Sequence, residues 1–492
     1  MAAPRVPFSR WEIGMRNEYR AKPGILTMSQ ERAQRAAAPT VKWVRDGGYW
    51  WLMGAMIWVV FYQNLPDSMD GFHKKSGFAD PNILDRFIKF TVLGVSCYFI
   101  ANRFLLARSL GRYLNPGLAA FFVVALMSML WSIDPSATLL RFVSLAAVLL
   151  ACFAFGLASW HPRRFEHVVI PPIMLILVPS LLLGMFAPEL VKEIGDDISL
   201  RDAWHGITRG KNEFGMISSF GLILCANMWI TKGPRAYWAM AGTLASALSL
   251  VLSKSNTSMF ASGLGVLTMV LLIKVPFVRD RHSKFVAIFI PAVILIYELA
   301  IQNVIPGVDV LFAPIASITG KDTTFSQRTA IWKIIKAHIE LSPYVGSGYG
   351  AYWVGPVATS PSYIFLSVMW LYPTESHNGY LEVVNDLGLL GLACLLLFII
   401  CYVRQALQLL RSDRNQAALF LALLFQEMVM NMSESDWFSR SDTFMVLALG
   451  SVCMSRALLD EELRGLQRPA VAASQPAARA SPLAVPRRGR HA

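Results

Sequence analysis

The chain has 492 residues, of which 55% are hydrophobic and only 16% are charged, and its mean hydropathy is +0.46. Soluble domains carry about 25% charged residues, so this composition excludes an ordinary water-soluble protein and favours one that is mainly solvated by lipid. The net charge of +13 comes from basic residues in short segments between apolar runs and in both terminal regions. This placement indicates membrane orientation and not a nucleic-acid surface.

The apolar runs predict about twelve membrane helices, because a hydrocarbon core of about 30 Å requires roughly 20 apolar residues per helix. In chain order the runs cover residues 49–62, 87–101, 114–131, 139–159, 168–186, 214–231, 237–252, 259–276, 285–301, 387–403, 417–432 and 443–457. They lack the alternation of apolar and polar residues that is typical of barrel strands. The predicted fold is therefore all-α and polytopic.

Lysine and arginine are concentrated in alternate loops, which predicts that those loops are cytoplasmic. With an even number of helices both termini are then cytoplasmic. The predicted division is a basic segment at 1–48, helices one to nine at 49–302, a large outer loop at 303–375, helices ten to twelve at 376–459, and a disordered tail at 460–492. Residues 1–48 contain no signal-peptide pattern, so the first helix is expected to act as the targeting signal.

The six cysteines all fall in apolar stretches and show no CxxC or Cys/His spacing, so neither a disulfide framework nor a structural zinc site is expected. They are Cys97, Cys152, Cys225, Cys394, Cys401 and Cys453.

The long outer loop contains a helix signal of its own. Ser326 is a candidate N-cap, Pro343 is a stop, and isoleucines recur between them at helical spacing. The isoleucines are Ile331, Ile334, Ile335 and Ile339. Since loops of this length are usually functional or disordered, we expect this helix and the second outer segment, 187–211, to cover an outward-facing cavity.

The polar strings of the chain lie in these outer segments. Residues 204–212 read Trp-His-Gly-Ile-Thr-Arg-Gly-Lys-Asn and precede a membrane helix. Residues 320–329 place Arg328 in the first turn of the loop helix, and residues 376–382 place His377 at the start of the tenth span. Further strings are Trp-Ser-Ile-Asp-Pro at 131–135, Gly-Ser-Gly-Tyr-Gly at 346–350 and Asn-Met-Ser-Glu-Ser at 431–435.

In this order the strings resemble the O-antigen ligase and polymerase superfamily of bacterial envelope proteins, over roughly residues 131–435. The pattern is most similar to members that act in exopolysaccharide production. Gln327 departs from it, because relatives often have glycine before the arginine.

The resemblance implies a GT-C-like glycosyltransferase of the bacterial inner membrane with its active site on the periplasmic side. The implied donor is an undecaprenyl diphosphate-linked glycan. The acceptor is another lipid-linked repeat in a polymerase or a lipid A core sugar in a ligase, and the sequence leaves both open. Membrane lipid and other polysaccharide-assembly proteins are candidate partners, whereas no cofactor, metal or nucleic acid is expected.

Cations of the outer segments suit a diphosphate leaving group, because preorganised positive charge stabilises it and arginine can hold phosphate oxygens with two hydrogen bonds. Arg328 adds to the positive N-terminal end of its helix. Arg209, Lys211 and Arg201 are the other candidate ligands of the donor. The alternatives are a helix cap or a pair with Asp322 for Arg328, snorkelling at the interface for Arg209 and Lys211, and plain loop charge for Arg201.

His377 is the candidate base that takes the proton of the acceptor hydroxyl, with a helix start favouring the neutral ring. Direct displacement would invert the anomeric carbon, and no metal cluster is expected. Asn378, Glu382 and Tyr349 are candidate supporting residues. Each of three assignments has an alternative. His377 could be an interfacial histidine, Tyr349 could belong to an aromatic belt, and Glu382 could pair with Arg141.

Two other functional classes fit the predicted topology. A secondary transporter also often has twelve spans, although the halves show no convincing repeat and the strongest polar strings lie in outer loops. A non-catalytic protein of an envelope assembly would leave Arg328 and His377 dispensable.

Overall fold

The computed structural model describes residues 51–52, 54–56, 83–158, 164–193, 202–232, 236–302, 304, 326–355, 358–370, 372–439 and 442–474. The described residues up to Leu458 belong to one compact unit, and those from Leu459 onwards belong to a second. The elements that position the site belong to the first unit.

Within the described ranges the regular elements are helices, and an isolated bridge joins Lys192 to Trp204. In chain order the helices are α1 (Ile83–Asn102), α2 (Phe104–Gly111), α3 (Pro116–Met127), α4 (Pro135–Ala158), α5 (Arg164–Phe186), α6 (Lys211–Ile230), α7 (Ala236–Ser253), α8 (Asn256–Lys274), α9 (Ser283–Ile301), α10 (Ser326–Ile339), α11 (Ile364–Met369), α12 (Gly379–Leu409), α13 (Arg414–Met430) and α14 (Asp442–Ser474).

Eight of the described helices are long and apolar enough to cross a membrane, or nine if α1 and α2, which are bent by 94° at their junction, form one span. This confirms a polytopic all-α membrane protein. The expected total of twelve is not reached by these helices, because α3 and the 17-residue α13 are short. Nine of the 14 residues of the first predicted run, 49–62, lie outside the described residues.

Helix α13 forms the centre of the bundle. All its residues from Gln416 to Met430 are buried, including Phe420 and Phe425. A mostly apolar helix that is buried on every face is stable only when other helices surround it, which explains its central place. The predicted outer helix is α10, whose isoleucines Ile331 and Ile335 pack into a second, smaller core with Trp332.

Helix α12 is broken in its outer part. Gly388 has φ +61° and ψ −158°, so Gly379–Leu387 and the rest of α12 are two helical pieces. After the break, 21 residues at 1.5 Å each span about 31 Å, which matches the hydrocarbon thickness. The piece that begins beside His377 therefore extends beyond the membrane-spanning length.

The predicted Gly-Ser-Gly-Tyr-Gly string lies against this break and replaces the missing helical hydrogen bonds. The amides of Ser347 and Gly348 donate to the carbonyls of Asn385 and Asp386 at 3.0 and 2.9 Å. On the other side of the break, the amides of Leu389 and Leu390 donate to the carbonyls of Pro343 and Tyr344 at 2.9 and 3.1 Å. Irregular backbone at membrane depth requires such partners, since lipid offers none.

Glycine is required at this contact. A Cβ at Gly388 would lie 2.3 Å from the carbonyl carbon of Tyr344, and a Cβ at Gly346 would lie 2.5 Å from that of Asp386. Both residues also have positive φ angles, +61° and +66°. Any side chain here would separate the loop from the helix.

The outer segments meet at one end of the bundle. Ile133 before α4 donates its amide to Ser347, and Asn212 in the first turn of α6 bonds Glu434 after α13. Trp332 of α10 donates its indole N–H to the carbonyl of Ser376, before α12, at 2.9 Å. Loops that are far apart in sequence therefore build a single surface.

Candidate active site

His377 is held by an unusual backbone conformation at the start of α12. Its φ is +53°, a left-handed conformation that non-glycine residues adopt rarely and at a cost. Asn378 is the N-cap of α12, and its Oδ1 accepts the amide of Leu381 at 2.8 Å. The strained residue is therefore fixed by the cap that follows it.

The two turns that carry the site are bonded to each other. Ser435 Oγ lies 3.0 Å from Ser376 Oγ and accepts the backbone amide of Asn378 at 3.2 Å. The amide of Gly379 donates to the carbonyl of Asn431 at 2.8 Å. Residues before α12 and after α13 therefore form one rigid unit.

This unit places the His377 ring between two carboxylates. Its Nδ1 lies 2.9 Å from Glu375 Oε1 and 3.8 Å from Glu434 Oε2. The Nδ1 atom is buried, and although it lies at ion-pair distance from Glu375 its N–H direction is not aligned for a hydrogen bond. About a third of the His377 side chain is exposed, so the ring remains accessible from outside.

Glu434 also binds groups from two other helices. Its Oε1 accepts a hydrogen bond from Asn212 Nδ2 at 2.9 Å and lies 3.5 Å from Arg328 Nη2. The Arg328 and Glu434 side chains are 23% and 15% exposed, so this ion pair is partly shielded from solvent. We call Asn212, Arg328, Glu375, His377 and Glu434 the outer cluster.

The carboxylates decide the charge of the histidine. Burial lowers the pKa of His377, but Glu375 and then Glu434 outweigh this effect and raise the pKa to about 9, from an ordinary 6.5. In the free protein at neutral pH the ring is therefore an imidazolium. The helix start was expected to favour the neutral ring, and the two acidic neighbours reverse that preference.

Three residues of the outer cluster also have the side-chain types and spacing of metal ligands. One ligand atom each from Glu375, His377 and Glu434 lie within 4.8 Å of one another. Two carboxylate oxygens and an imidazole nitrogen are a donor set that divalent transition metals accept. The Arg328 guanidinium beside Glu434 opposes a second positive charge there.

Of the predicted site residues, Arg328 and His377 join the outer cluster directly, and Asn378 caps the adjoining helix. Glu382 accepts the amide of Ser376 at 3.0 Å and the indole N–H of Trp353 at 2.6 Å, so it holds the backbone next to His377. The alternative partner of Glu382, Arg141, instead donates to the carbonyls of Gly350 and Trp353.

The other predicted residues lie at the edge of the cluster or outside it. Arg209 is exposed and Lys211 half-buried, and their backbone amides donate to Glu213 and Glu193. Tyr349 is buried with its hydroxyl on the carbonyl of Phe438, so it belongs to the core. Arg201 lies outside the described residues.

Sequence reasoning missed both carboxylates of the cluster. Glu434 is part of the Asn-Met-Ser-Glu-Ser string and Asn212 is part of the Lys-Asn pair, so both carried a signal of the family pattern. Glu375 lies two positions before His377, outside the quoted strings, so no sequence pattern predicted its part in the site.

Two comparisons connect this geometry to known proteins. Residues 241–396 match the sequence model of a family described as O-Antigen ligase. Over 320 residues the chain is 25% identical to the exopolysaccharide production protein ExoQ of Rhizobium meliloti (strain 1021), which covers 62% of this chain and 69% of ExoQ. The resemblance to the O-antigen ligase and polymerase superfamily is confirmed.

The O-antigen ligase match contains only part of the outer cluster. Arg328, Glu375 and His377 lie inside residues 241–396, whereas Asn212 and Glu434 lie before and after them. The O-antigen ligase segment therefore obtains two of its polar contacts from flanking parts of the chain, helix α6 and the turn after α13.

Proposed function

We propose that this protein is an inner-membrane glycosyltransferase that takes its glycan from undecaprenyl diphosphate at the periplasmic face. The observation that carries the proposal is the convergence of Arg328, Asn212 and His377 on Glu434, at the end of the bundle where the outer segments meet. The O-antigen ligase family, which the chain resembles, supplies the reaction class, and ExoQ, by its printed name an exopolysaccharide production protein, favours a polymerase over a ligase.

In this proposal Arg328 binds the donor diphosphate. It lies in the first turn of α10, where the helix end adds positive charge, and its guanidinium supplies planar hydrogen bonds to the departing phosphate. Arg209 and Lys211 extend the positive field towards the lipid-linked donor, and Arg201, outside the described residues, is proposed as a further ligand of the diphosphate. Because these cations supply the charge stabilisation, the proposed reaction is independent of metal ions.

His377 takes the proton of the acceptor hydroxyl. Its Nδ1 faces the two carboxylates, which leaves Nε2 for the acceptor. The base is the neutral ring, which forms when the imidazolium of the free protein releases its Nε2 proton to water. The hydroxyl proton then moves to Nε2 as the oxygen attacks the anomeric carbon, and the bond from that carbon to the phosphate oxygen breaks. Undecaprenyl diphosphate leaves, the anomeric carbon is inverted, and Glu375 and Glu434 stabilise the imidazolium that forms again.

The proposal is tested in a strain that lacks this gene, complemented with Arg328→Ala or His377→Ala at matched expression. Each variant is expected to fail to restore long surface glycan, with undecaprenyl diphosphate-linked units accumulating. The controls are Lys333→Ala, which removes an exposed cation from the same helix as Arg328, and His282→Ala in the helical turn that directly precedes α9. Long glycan in the null strain would refute the function, and long glycan with either site variant would refute the site.

A further inference from the structure

Glu298 is a buried carboxylate near the outer end of membrane helix α9. Its side chain is only 4% exposed. Its Oε1 accepts two hydrogen bonds, from Asn378 Nδ2 at 2.8 Å and from Gln302 Nε2 at 3.0 Å. Its Oε2 is buried without a hydrogen-bond partner among the described residues. Burying a carboxylate that is only half satisfied is costly, so such a residue in a membrane helix is usually kept for function.

The Asn378 side chain is the link between Glu298 and the site. Its Nδ2 donates to Glu298 while its Oδ1 accepts the amide of Leu381 at 2.8 Å. A carboxylate accepts hydrogen bonds but cannot donate them, so it can bind only the NH₂ side of the amide. Glu298 therefore selects the amide orientation in which Asn378 caps α12.

The cap in turn fixes the residue before it. The backbone amide of Asn378 is shared between Ser376 Oγ at 3.3 Å and Ser435 Oγ at 3.2 Å. With both its amide and its side chain bonded, Asn378 anchors the chain directly after His377, whose φ is +53°. A rotated Asn378 side chain would lose the cap, and the strained His377 backbone would relax.

We propose that Glu298 is a positioning residue that acts through Asn378 to hold His377 between its two carboxylates. This inference rests on the proposed function, in which His377 must present one ring nitrogen to the acceptor. Glu298 touches none of the reacting groups, and its contribution is the orientation of the Asn378 amide.

The test exchanges the two functional groups. In Asn378→Asp two carboxylates face each other, and glycan output is expected to fall at least about tenfold because like charges at hydrogen-bond distance repel. In Glu298→Gln the amide oxygen still accepts from Asn378, and output is expected to stay within about twofold of the unchanged protein. The double variant restores a donor and acceptor pair with Asp as N-cap, and output should recover to within about threefold.

A second readout does not depend on glycan synthesis. Diethyl pyrocarbonate modifies His377, and peptide mass spectrometry on the purified full-length proteins gives the rate. We expect this rate in Asn378→Asp to differ from that of the unchanged protein. In the double variant it should return to the rate of the unchanged protein. Equal His377 rates in all four proteins, or a double variant no better than Asn378→Asp, would overturn the inference. If the unchanged chain makes no glycan in the null strain, the proposed function fails, while the labelling rates still decide whether Glu298 positions His377.

Discussion

Arg328 Nη2 lies 3.5 Å from Glu434 Oε1, although 106 positions separate these residues in the sequence. The ion pair joins α10 to the turn between α13 and α14. In the free protein Glu434 therefore forms an ion pair with the arginine that we assign to the donor diphosphate. A phosphate that binds Arg328 must compete with this carboxylate, so its affinity depends on how well it uses the planar guanidinium.

Replacing Arg328 with lysine keeps the charge but removes that planar donor group. We expect Arg328→Lys to lower long-glycan output by about 10- to 100-fold, because an ammonium acts as a point charge and cannot form the paired hydrogen bonds. Output is measured from surface glycan of cells with matched protein levels, with Lys333→Ala as the control for charge on α10. Normal output from the lysine variant would show that charge alone suffices.

The charge of His377 can be titrated directly. Diethyl pyrocarbonate reacts with neutral imidazole, so modification of His377 should be half-maximal near pH 9, because Glu375 and Glu434 outweigh burial and raise its pKa to about 9. Glu375→Gln and Glu434→Gln should each move the midpoint down towards the ordinary 6.5. The denatured protein is the reference. A midpoint near 6.5 in the native chain would contradict the ion pairs.

The same pKa predicts how stability depends on pH. The folded-state pKa of about 9 lies above the ordinary 6.5, so the His377 ion pairs contribute fully below pH 6.5 and their contribution is lost as pH rises through 9. We expect the melting temperature in detergent to fall between pH 7 and 9.5 more steeply for the unchanged protein than for His377→Gln. Parallel curves would exclude a stabilising imidazolium.

The break in α12 predicts that Gly388 cannot be replaced. Gly388→Ala should lower the free energy of unfolding by about 1–3 kcal/mol from the positive φ alone, and the new Cβ would also meet Tyr344. The matched control is Gly263→Ala in α8, where nothing lies within 4 Å of the added Cβ. That change should stabilise slightly, by about 0.4–1 kcal/mol. Equal melting temperatures of the two variants would refute the requirement for glycine.

The orientation of the bundle is tested at two exposed positions on opposite ends. Leu341, 79% exposed after α10, belongs to the site end, and Arg411 is exposed at the far end of α12. In intact cells a membrane-impermeant maleimide should label Leu341→Cys but not Arg411→Cys. The unchanged chain is the control for background labelling, because it already has an exposed cysteine, Cys97. The reverse labelling pattern would place the outer cluster in the cytoplasm.

Much of the helical plan could be predicted because apolar runs and loop charges are local signals. The helix at Ser326–Ile339 follows the spacing of its isoleucines and ends before Pro343. The break at Gly388 could not be predicted in this way, since Leu387 and Leu389 continue an apolar run and only a distant loop makes the break stable. Helix α12 therefore consists of two pieces, a short one next to His377 and a longer one of membrane-spanning length.

The candidate site was predictable in part for the same reason. Arg328 lies in the first turn of α10 and His377 directly precedes the N-cap of α12, and a helix start is visible in sequence. The importance of Glu434 depends on three partners from α6, α10 and the turn before α12, and no local spacing reveals such a meeting. The charge of His377 depends on Glu434 and Glu375 and was therefore also beyond local reasoning.

The contact between Asn212 and Glu434 has a consequence for biosynthesis. These residues are 222 positions apart, so at roughly 5–20 residues per second the ribosome adds Glu434 about 10 to 45 s after Asn212. The carboxylate that gathers the other groups is made after Asn212, Arg328 and His377. Nascent chains therefore first hold these three residues without their shared partner, and the proposed transfer can begin only after Glu434 has joined them.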